Sequence, residues 1–500
     1  MSPDQRMFPA HSPRFALAAG LVFVLILLTL SIRILSPSDI ASRDQSRTVS
    51  YTIDIVRNGN LLLASDADGL PATKPPLVNY LSALLVAPFG PNEWTFMAPS
   101  LLAFFATLAL IYLIARDVFA QMPPPHGGWL GLTAAEWAAL LAVAFFGLSA
   151  LALRLAFVAL PDMILAFLLT LSFYAANRAL ALQPPQGAGW AFVFWLAASL
   201  AALAKGPLAL IPVLYGFVAA KFLHGGWGAA RRLRPAVGAP VSLVVALAWP
   251  VAVYVLAPEH FRNILVDQEL GGQFEAVWYS GLISAWKVPL WMIAGFLPWS
   301  LLLLVAAWFF PWRQWRAHPL APVLLYVLLL AIPFILVGSR RGERFAPFLP
   351  LAAVICAWAA VYCWRGQVLL RASVAAVPAV IVGLTVYFHF LSDPAKDLSG
   401  QRMLDFVREV KAKANGRPLL FCKTANRELA VQAFLGVNQR GQYPQEAPES
   451  GAWVIAEGPG DQPDALIESE PIPLIEGQRL YVASAEGGSP VCEGGRDRTE

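Results

Sequence analysis

Ser42-Arg43-Asp44-Gln45-Ser46-Arg47, followed by Tyr51, Arg57-Asn58-Gly59 and Lys74-Pro75-Pro76-Leu77, crowds ionisable groups into one loop of an otherwise apolar chain. Charged side chains are expensive near hydrocarbon, so a membrane protein keeps them where they bind or react. The pattern recurs at Asp162, at Lys205 and in Ser339-Arg340-Arg341-Gly342-Glu343-Arg344, each at the end of an apolar run. We read these positions as parts of one site.

The rest of the chain sets the context. Its 500 residues are 58% hydrophobic and 14% charged, with a mean hydropathy of +0.59. Soluble domains carry about 25% charged residues, so the composition predicts a polytopic α-helical membrane protein. The net charge of +4 is spread over short loops rather than one basic block, which argues against a nucleic-acid partner.

Residues 15–35 form an apolar run long enough to span a bilayer and too long for a typical cleavable signal, so they read as an uncleaved first span. Further runs fall near 95–115, 134–152, 162–182, 189–204, 207–223, 237–257, 287–310, 319–338, 346–364 and 368–391. Together they predict about eleven spans at ~20 residues each. Short loops rich in Lys and Arg face the cytoplasm. That rule places the N-terminus there, with Arg116, Lys221, Arg231, Arg232, Arg234, Arg313, Arg316, Arg365 and Arg371. The opposite face then collects the first loop (36–94), Asp162, Lys205, the loop 258–286, Arg340, Arg341, Arg344 and everything beyond 391. The three arginines break the loop-charge trend. An anionic ligand would explain them, because the planar guanidinium fork suits phosphate; pairing with Glu343 and lipid headgroups is the plainer alternative.

Two domains are expected: a membrane domain over 1–391 and a small extracytoplasmic α/β domain over 392–500. In the latter, Met403, Phe406, Val407 and Val410 follow helical spacing, and 418–421, 452–456 and 480–483 read as strands. Cys356 and Cys363 read as small apolar residues of a span. Cys422 and Cys492 have the option of a disulfide in an oxidising compartment.

Asp44, Arg47, Tyr51 and Asp54 share one face of a helix, and Val49, Ile53 and Val56 form an apolar stripe, so the helix is expected at the membrane interface. Asp44 is either an N-cap or a functional base, and spacing alone favours the cap. Lys74-Pro75-Pro76 and Lys205-Gly206-Pro207 both set a cation at a rigid corner, whether to snorkel or to bind. Asp162 follows Leu160-Pro161, a helix start, and is open between cap and site. Glu259 and His260 belong to a polar loop able to contact substrate, and Leu297-Pro298-Trp299-Ser300 reads as an interfacial corner.

These residues resemble the GT-C fold glycosyltransferases that use polyprenyl-phosphate-linked sugars, in the branch of lipid A aminoarabinose transferases and relatives of protein O-mannosyltransferases. The likeness covers roughly residues 15–365. It rests on Asp44, Arg47, Gly59 and Lys74-Pro75 at matching spacing, and on Asp162, Lys205-Gly206-Pro207, 297–300 and 339–345 in the same order. Three departures stand out: Gln45 and Thr73 where relatives often carry acids, and Phe345 where they carry tyrosine. The first two weaken any metal site, so no cofactor is expected to be required and a divalent metal is doubtful.

The resemblance implies transfer of a sugar from a polyprenyl-phosphate donor to a lipid or glycolipid acceptor such as lipid A, in a bacterial inner membrane, with the C-terminal domain periplasmic. Asp44 and Asp162 are then the catalytic candidates. Lys74, Lys205, Arg340, Arg341 and Arg344 are candidates for the donor phosphate, and Arg47, Tyr51, Glu259 and His260 for substrate contacts. A protein acceptor is the variant reading. A lipid-linked sugar flippase would also want a cationic lateral cavity, though no internal repeat of the transporter kind is evident. A sensor or scaffold would leave the first-loop charges unexplained.

Overall fold

The computed structural model describes residues 12–36, 40, 42–125, 128–183, 185–262, 290, 293–337, 342–363, 366–391, 394–414, 416–421, 429–440, 446, 448–457, 472–473 and 479–485. The chain is a bundle of apolar helices followed by a short α/β segment. The bundle begins with α1 (Pro13–Leu35), α2 (Arg43–Asn58), α3 (Leu77–Phe89), α4 (Glu93–Phe119), α5 (Ala134–Gly147) and α6 (Ala150–Ala156). It continues with α7 (Asp162–Ala181), α8 (Ala188–Lys205), α9 (Leu210–Leu223), α10 (Pro235–Leu256) and the single turn α11 (Pro258–His260). After it come α12 (Leu301–Phe309), α13 (Ala321–Val337), α14 (Leu349–Tyr362) and α15 (Gly366–Val386).

Helix starts are written locally. Ser12 accepts from the Phe15 amide with Pro13 at the first helical position; Asn92 with Thr95 and Thr133 with Glu136 form reciprocal capping boxes. Each cap satisfies amides that a helix end otherwise leaves open. Among the described residues seven helices are long and apolar enough to cross a membrane, and α5 with α6, bent by 63°, makes an eighth if the pair is one span. Shorter apolar helices occupy Pro207–Leu223 and Ala321–Phe334, and α12 lies in the expected 287–310 run. The chain is a multi-pass membrane protein.

Burial sorts the spans. The stretch Glu343–Tyr362 has 94% of its apolar window buried and runs through the middle of the bundle, whereas α10 has 11% and turns Val237, Val241, Val244 and Val251 outward. Without a hydrophobic drive between helices in lipid, the interior must close by side-chain fit. Alanine-rich faces on α5, α8 and α14 provide that fit, and aromatic pairs such as Phe145 on Trp299, with centroids 4.5 Å apart, fill the rest. Trp299 is 2% exposed. At the expected interfacial corner the indole is therefore core, stacked on α5, while Leu297 remains exposed.

Beyond the bundle, α16 (Pro394–Ala414), β1 (Leu419–Phe421), α17 (Leu429–Phe434), β2 (Ala452–Glu457), β3 (Ile472–Pro473) and β4 (Arg479–Ala485) form the α/β segment. Its sheet has the order β1-β2-β4-β3, with β1 parallel to β2 and the other pairs antiparallel. Cys422 and Cys492 lie outside the described residues, while Cys356 and Cys363 are free and buried.

The segment packs on the first loop. Met403, Phe406, Val407, Val410, Val431 and Phe434 join one buried cluster with Val49, Ile53, Phe96 and Phe157. So α2 does not lie on lipid with its apolar stripe: Val49 and Ile53 are buried in protein, and Val56 alone of the three is exposed. Periodicity reports an amphipathic helix and leaves its partner open. At the centre of the contact the rings of Phe96 and Phe434 meet edge to face at 5.1 Å. Removing a buried Phe ring costs about 3–5 kcal/mol. Phe96→Ala should therefore loosen the docked segment, and limited proteolysis of the purified protein should release 394–485 much faster than from wild type. Unchanged resistance would contradict this packing.

Candidate active-site cleft

The first-loop helix is built to present one polar face. Ser42 is the N-cap residue, so Asp44 sits within the first turn rather than capping it. The helix closes at Gly59, whose φ of 68° is the left-handed conformation that glycine adopts without strain, and its amide reaches the Ile55 carbonyl. Asn79 on α3 donates to the Thr48 carbonyl at 2.8 Å and to Thr52 Oγ1 at 3.2 Å, fixing α3 against α2.

Between them lies an open cleft. Asp44, Arg47, Thr48 and Tyr51 line it from α2, Thr73, Lys74 and Pro75 from the corner, Val78 and Asn79 from α3, and Pro161 and Ala204 from across the bundle. Lys74 Nζ stands 3.8 Å from Asp44 Oδ1, and both side chains remain partly exposed. One residue beyond Pro161 and Ala204, Lys205 Nζ meets Asp162 Oδ1 at 2.5 Å, with Asp162 almost fully buried. Asp162, a catalytic candidate from the sequence, is thus held in an ion pair. Its carboxylate is engaged by Lys205, so it holds that ammonium at the rim of the cleft.

Other expected site residues fall differently. His260 Nε2 is 3.2 Å from the Ala72 carbonyl, two residues before Lys74, so it braces the corner. Glu259 is exposed and does not line the cleft. Glu343 pairs with Arg154 at 3.4 Å, and the turn Gly342–Phe348 that carries Arg344 packs against α6 and α7. Arg340 and Arg341 lie outside the described residues. Phe345 lines an apolar crevice with Phe296, Phe348 and Leu151, a setting that would leave a tyrosine hydroxyl without a polar partner. Gln45 is buried, and its Oε1 accepts from the Ala159 amide at 2.9 Å, tying α2 to the segment that ends at Asp162. No group of three or more His, Cys, Asp or Glu able to hold a metal occurs among the described residues.

One residue escaped the sequence reading. Asp66 is 0% exposed. Its Oδ1 accepts from the Asp68 and Leu70 amides at the tip of a small hairpin, while Oδ2 has no hydrogen-bond partner among the described residues. The run Asp66-Ala67-Asp68-Gly69 is a turn signal; nothing local announces the burial. Burial pushes the Asp66 carboxyl up from the usual 3.8 to about 6, with the Asp68 charge adding and the Leu70 amide and Arg47 charge opposing.

No family model matches the chain. The fold is that of a class of membrane glycosyltransferases: ArnT from Cupriavidus metallidurans bound to undecaprenyl phosphate superposes with a TM-score of 0.63 at 16% identity, covering 94% of this chain and 97% of that one. The Archaeoglobus fulgidus oligosaccharyltransferase gives 0.53 at 12% identity over 87% and 68% of the two chains. In sequence the chain is similar to the undecaprenyl phosphate-alpha-4-amino-4-deoxy-L-arabinose arabinosyl transferase of Shewanella sediminis, 25% identical over 349 residues. The match spans 68% of this chain and 58% of that protein's length. The expected resemblance to lipid A aminoarabinose transferases and the GT-C fold thus stand.

Two outcomes follow from the site's electrostatics. Removing one partner of a buried ion pair strands the other charge, at about 3–5 kcal/mol, so Lys205→Ala should lower thermal stability in detergent far more than the paired change Asp162→Asn with Lys205→Met. Equal losses would mean that Asp162 is not buried against Lys205. The folded chain keeps the Asp66 proton between about 3.8 and 6, where the unfolded chain has released it, so this group's effect on stability worsens as pH rises through that window and is flat above it. Wild type should therefore gain thermal stability relative to Asp66→Asn between pH 7 and pH 5. A pH-independent gap would contradict the burial.

Proposed function

We propose that this chain is an integral membrane glycosyltransferase that moves a sugar from a polyprenyl-phosphate donor, of the undecaprenyl type, to a lipid A-like glycolipid at the extracytoplasmic face. The observation that carries the reading is the cleft itself: a carboxylate, Asp44, facing a lysine corner, Lys74, with Arg47 in the same wall and Lys205 at the rim.

The chemistry needs a negative group at the acceptor and positive groups at the departing lipid phosphate. Asp44 takes the acceptor's proton, or orients an acceptor that is already ionised. Lys74, Lys205 and Arg47 stabilise the phosphate as the glycosidic C–O bond breaks and charge develops on its oxygen. A phosphate leaves readily as an anion, so fixed cations replace a general acid. Because acceptor and leaving phosphate lie on opposite sides of the sugar carbon, attack inverts its configuration. Asp162 positions Lys205, Tyr51 contributes a cleft wall, and His260 supports the Lys74 corner through Ala72. Arg340, Arg341 and Arg344, which follow α13 in the sequence, are proposed to bind the phosphate as well.

The protein is proposed to sit in the bacterial inner membrane with its N-terminus cytoplasmic, residues 1–391 as the transferase domain and 392–500 periplasmic. Asp44→Asn keeps the shape of the side chain and removes the base. Transfer should fall about 10²–10⁴-fold, read by mass spectrometry of envelope glycolipids from cells with equal amounts of membrane-inserted protein. A sugar-sized mass increment that is as abundant in the variant as in wild type would sink the role of Asp44; no increment in either would move the search to protein glycans.

A further inference from the structure

The strap after α17 grips the first loop at one point. Asp54 of α2 is 0% exposed, yet it carries a carboxylate among side chains that are otherwise neutral donors. Its Oδ1 accepts from Asn58 at 2.6 Å and its Oδ2 from Asn60 at 2.9 Å and from the Ser65 amide at 2.7 Å. The cation comes from far along the chain: Arg440 Nε reaches Asp54 Oδ1 at 3.4 Å. Arg440 does so from a φ of 53°, a left-handed backbone that glycine would occupy with less strain. Two residues earlier, Asn438 donates to the Ser50 carbonyl of α2 at 3.4 Å and to the Ser65 carbonyl at 3.0 Å, and accepts the Arg440 amide at 3.0 Å. Arg57 of α2 completes the contact on the Gly436 carbonyl.

Ser65 is therefore held from both sides, by Asp54 of α2 and by Asn438 of the strap. It opens the hairpin in which Ala72 pairs back to Ala64, and that hairpin runs straight into Thr73 and Lys74. We propose that Gly436–Arg440 is a positioning element of the transferase site, in which Arg440 and Asn438 lock the hairpin 64–72 onto α2 and so fix the Lys74 corner opposite Asp44 and Arg47. The inference rests on the function proposed above. It makes the C-terminal segment part of the site's framework, although none of its described residues lines the cleft.

The test uses the full chain in lipid nanodiscs, with Arg440→Ala, Arg440→Lys, Asp54→Asn and the double variant Asp54→Asn with Arg440→Ala. Two readouts are taken: amide exchange over residues 60–74, and affinity for undecaprenyl phosphate, alongside transfer kinetics. Small misplacements of reacting groups cost up to about a hundredfold, so Arg440→Ala should raise exchange in the hairpin and weaken lipid binding and kcat/KM about tenfold or more. Lysine should restore most of both. In the Asp54→Asn background the carboxylate is gone, and Arg440→Ala should add little. Wild-type exchange and lipid affinity in Arg440→Ala, or a loss of equal size in the Asp54→Asn background, would overturn the proposal. Absence of transfer by wild type itself would count against the proposed function, and the exchange readout would still decide the role of the strap.

Discussion

One helix has to satisfy two surfaces at once. α2 turns Asp44, Arg47 and Tyr51 to the cleft and buries Val49 and Ile53 beneath the C-terminal segment. An isolated helix of this length would be marginal in water, and its polar residues exclude it from the bilayer interior. Its position therefore depends on being clamped, with the hydrophobic cluster supplying adhesion and Asp54 supplying direction. Everything the cleft can do follows from where that clamp sets α2 against the Lys74 corner.

Proline makes the corner itself. Pro75 and Pro76 remove two backbone donors and disfavour helix at the preceding residue, so Lys74 stands at the end of a loop and not inside a span. Lys205 is set differently, as the last residue of α8 before Gly206, where its ammonium lies near the negative end of that helix. The two lysines differ in what holds them. Lys74 is half-exposed beside Asp44, whereas Lys205 is held by a buried carboxylate, which separates a cation with some freedom to follow a substrate from one fixed before a substrate arrives.

Much of this was legible in the sequence because its causes are local. Runs of about twenty apolar residues can only cross the bilayer or fill a bundle, and each expected run coincides at least in part with helix among the described residues. The shared face of Asp44, Arg47 and Tyr51 follows from helical period, and the lysine corners from their prolines. What the sequence left open depends on contacts between distant residues. The Asp162–Lys205 pair links two helix ends, and the Asp54–Arg440 pair links the first loop to the C-terminal segment; no spacing rule joins either. The stripe of Val49 and Ile53 read as a membrane-facing surface because periodicity cannot tell lipid from protein. Trp299 read as an anchor for the same reason. Asp66 carries no such signal, since its burial is made by neighbours that only the fold assembles.

On the proposed function, the cleft between α2, the Lys74 corner and the ends of α7 and α8 receives the donor's phosphate. The most direct test is an experimental structure of the full chain with undecaprenyl phosphate. The phosphate should lie within hydrogen-bond reach of Lys74 and of at least one of Arg47 and Lys205, with Asp44 left facing the space where a sugar would sit. A phosphate bound elsewhere in the bundle, with this cleft unchanged, would contradict it.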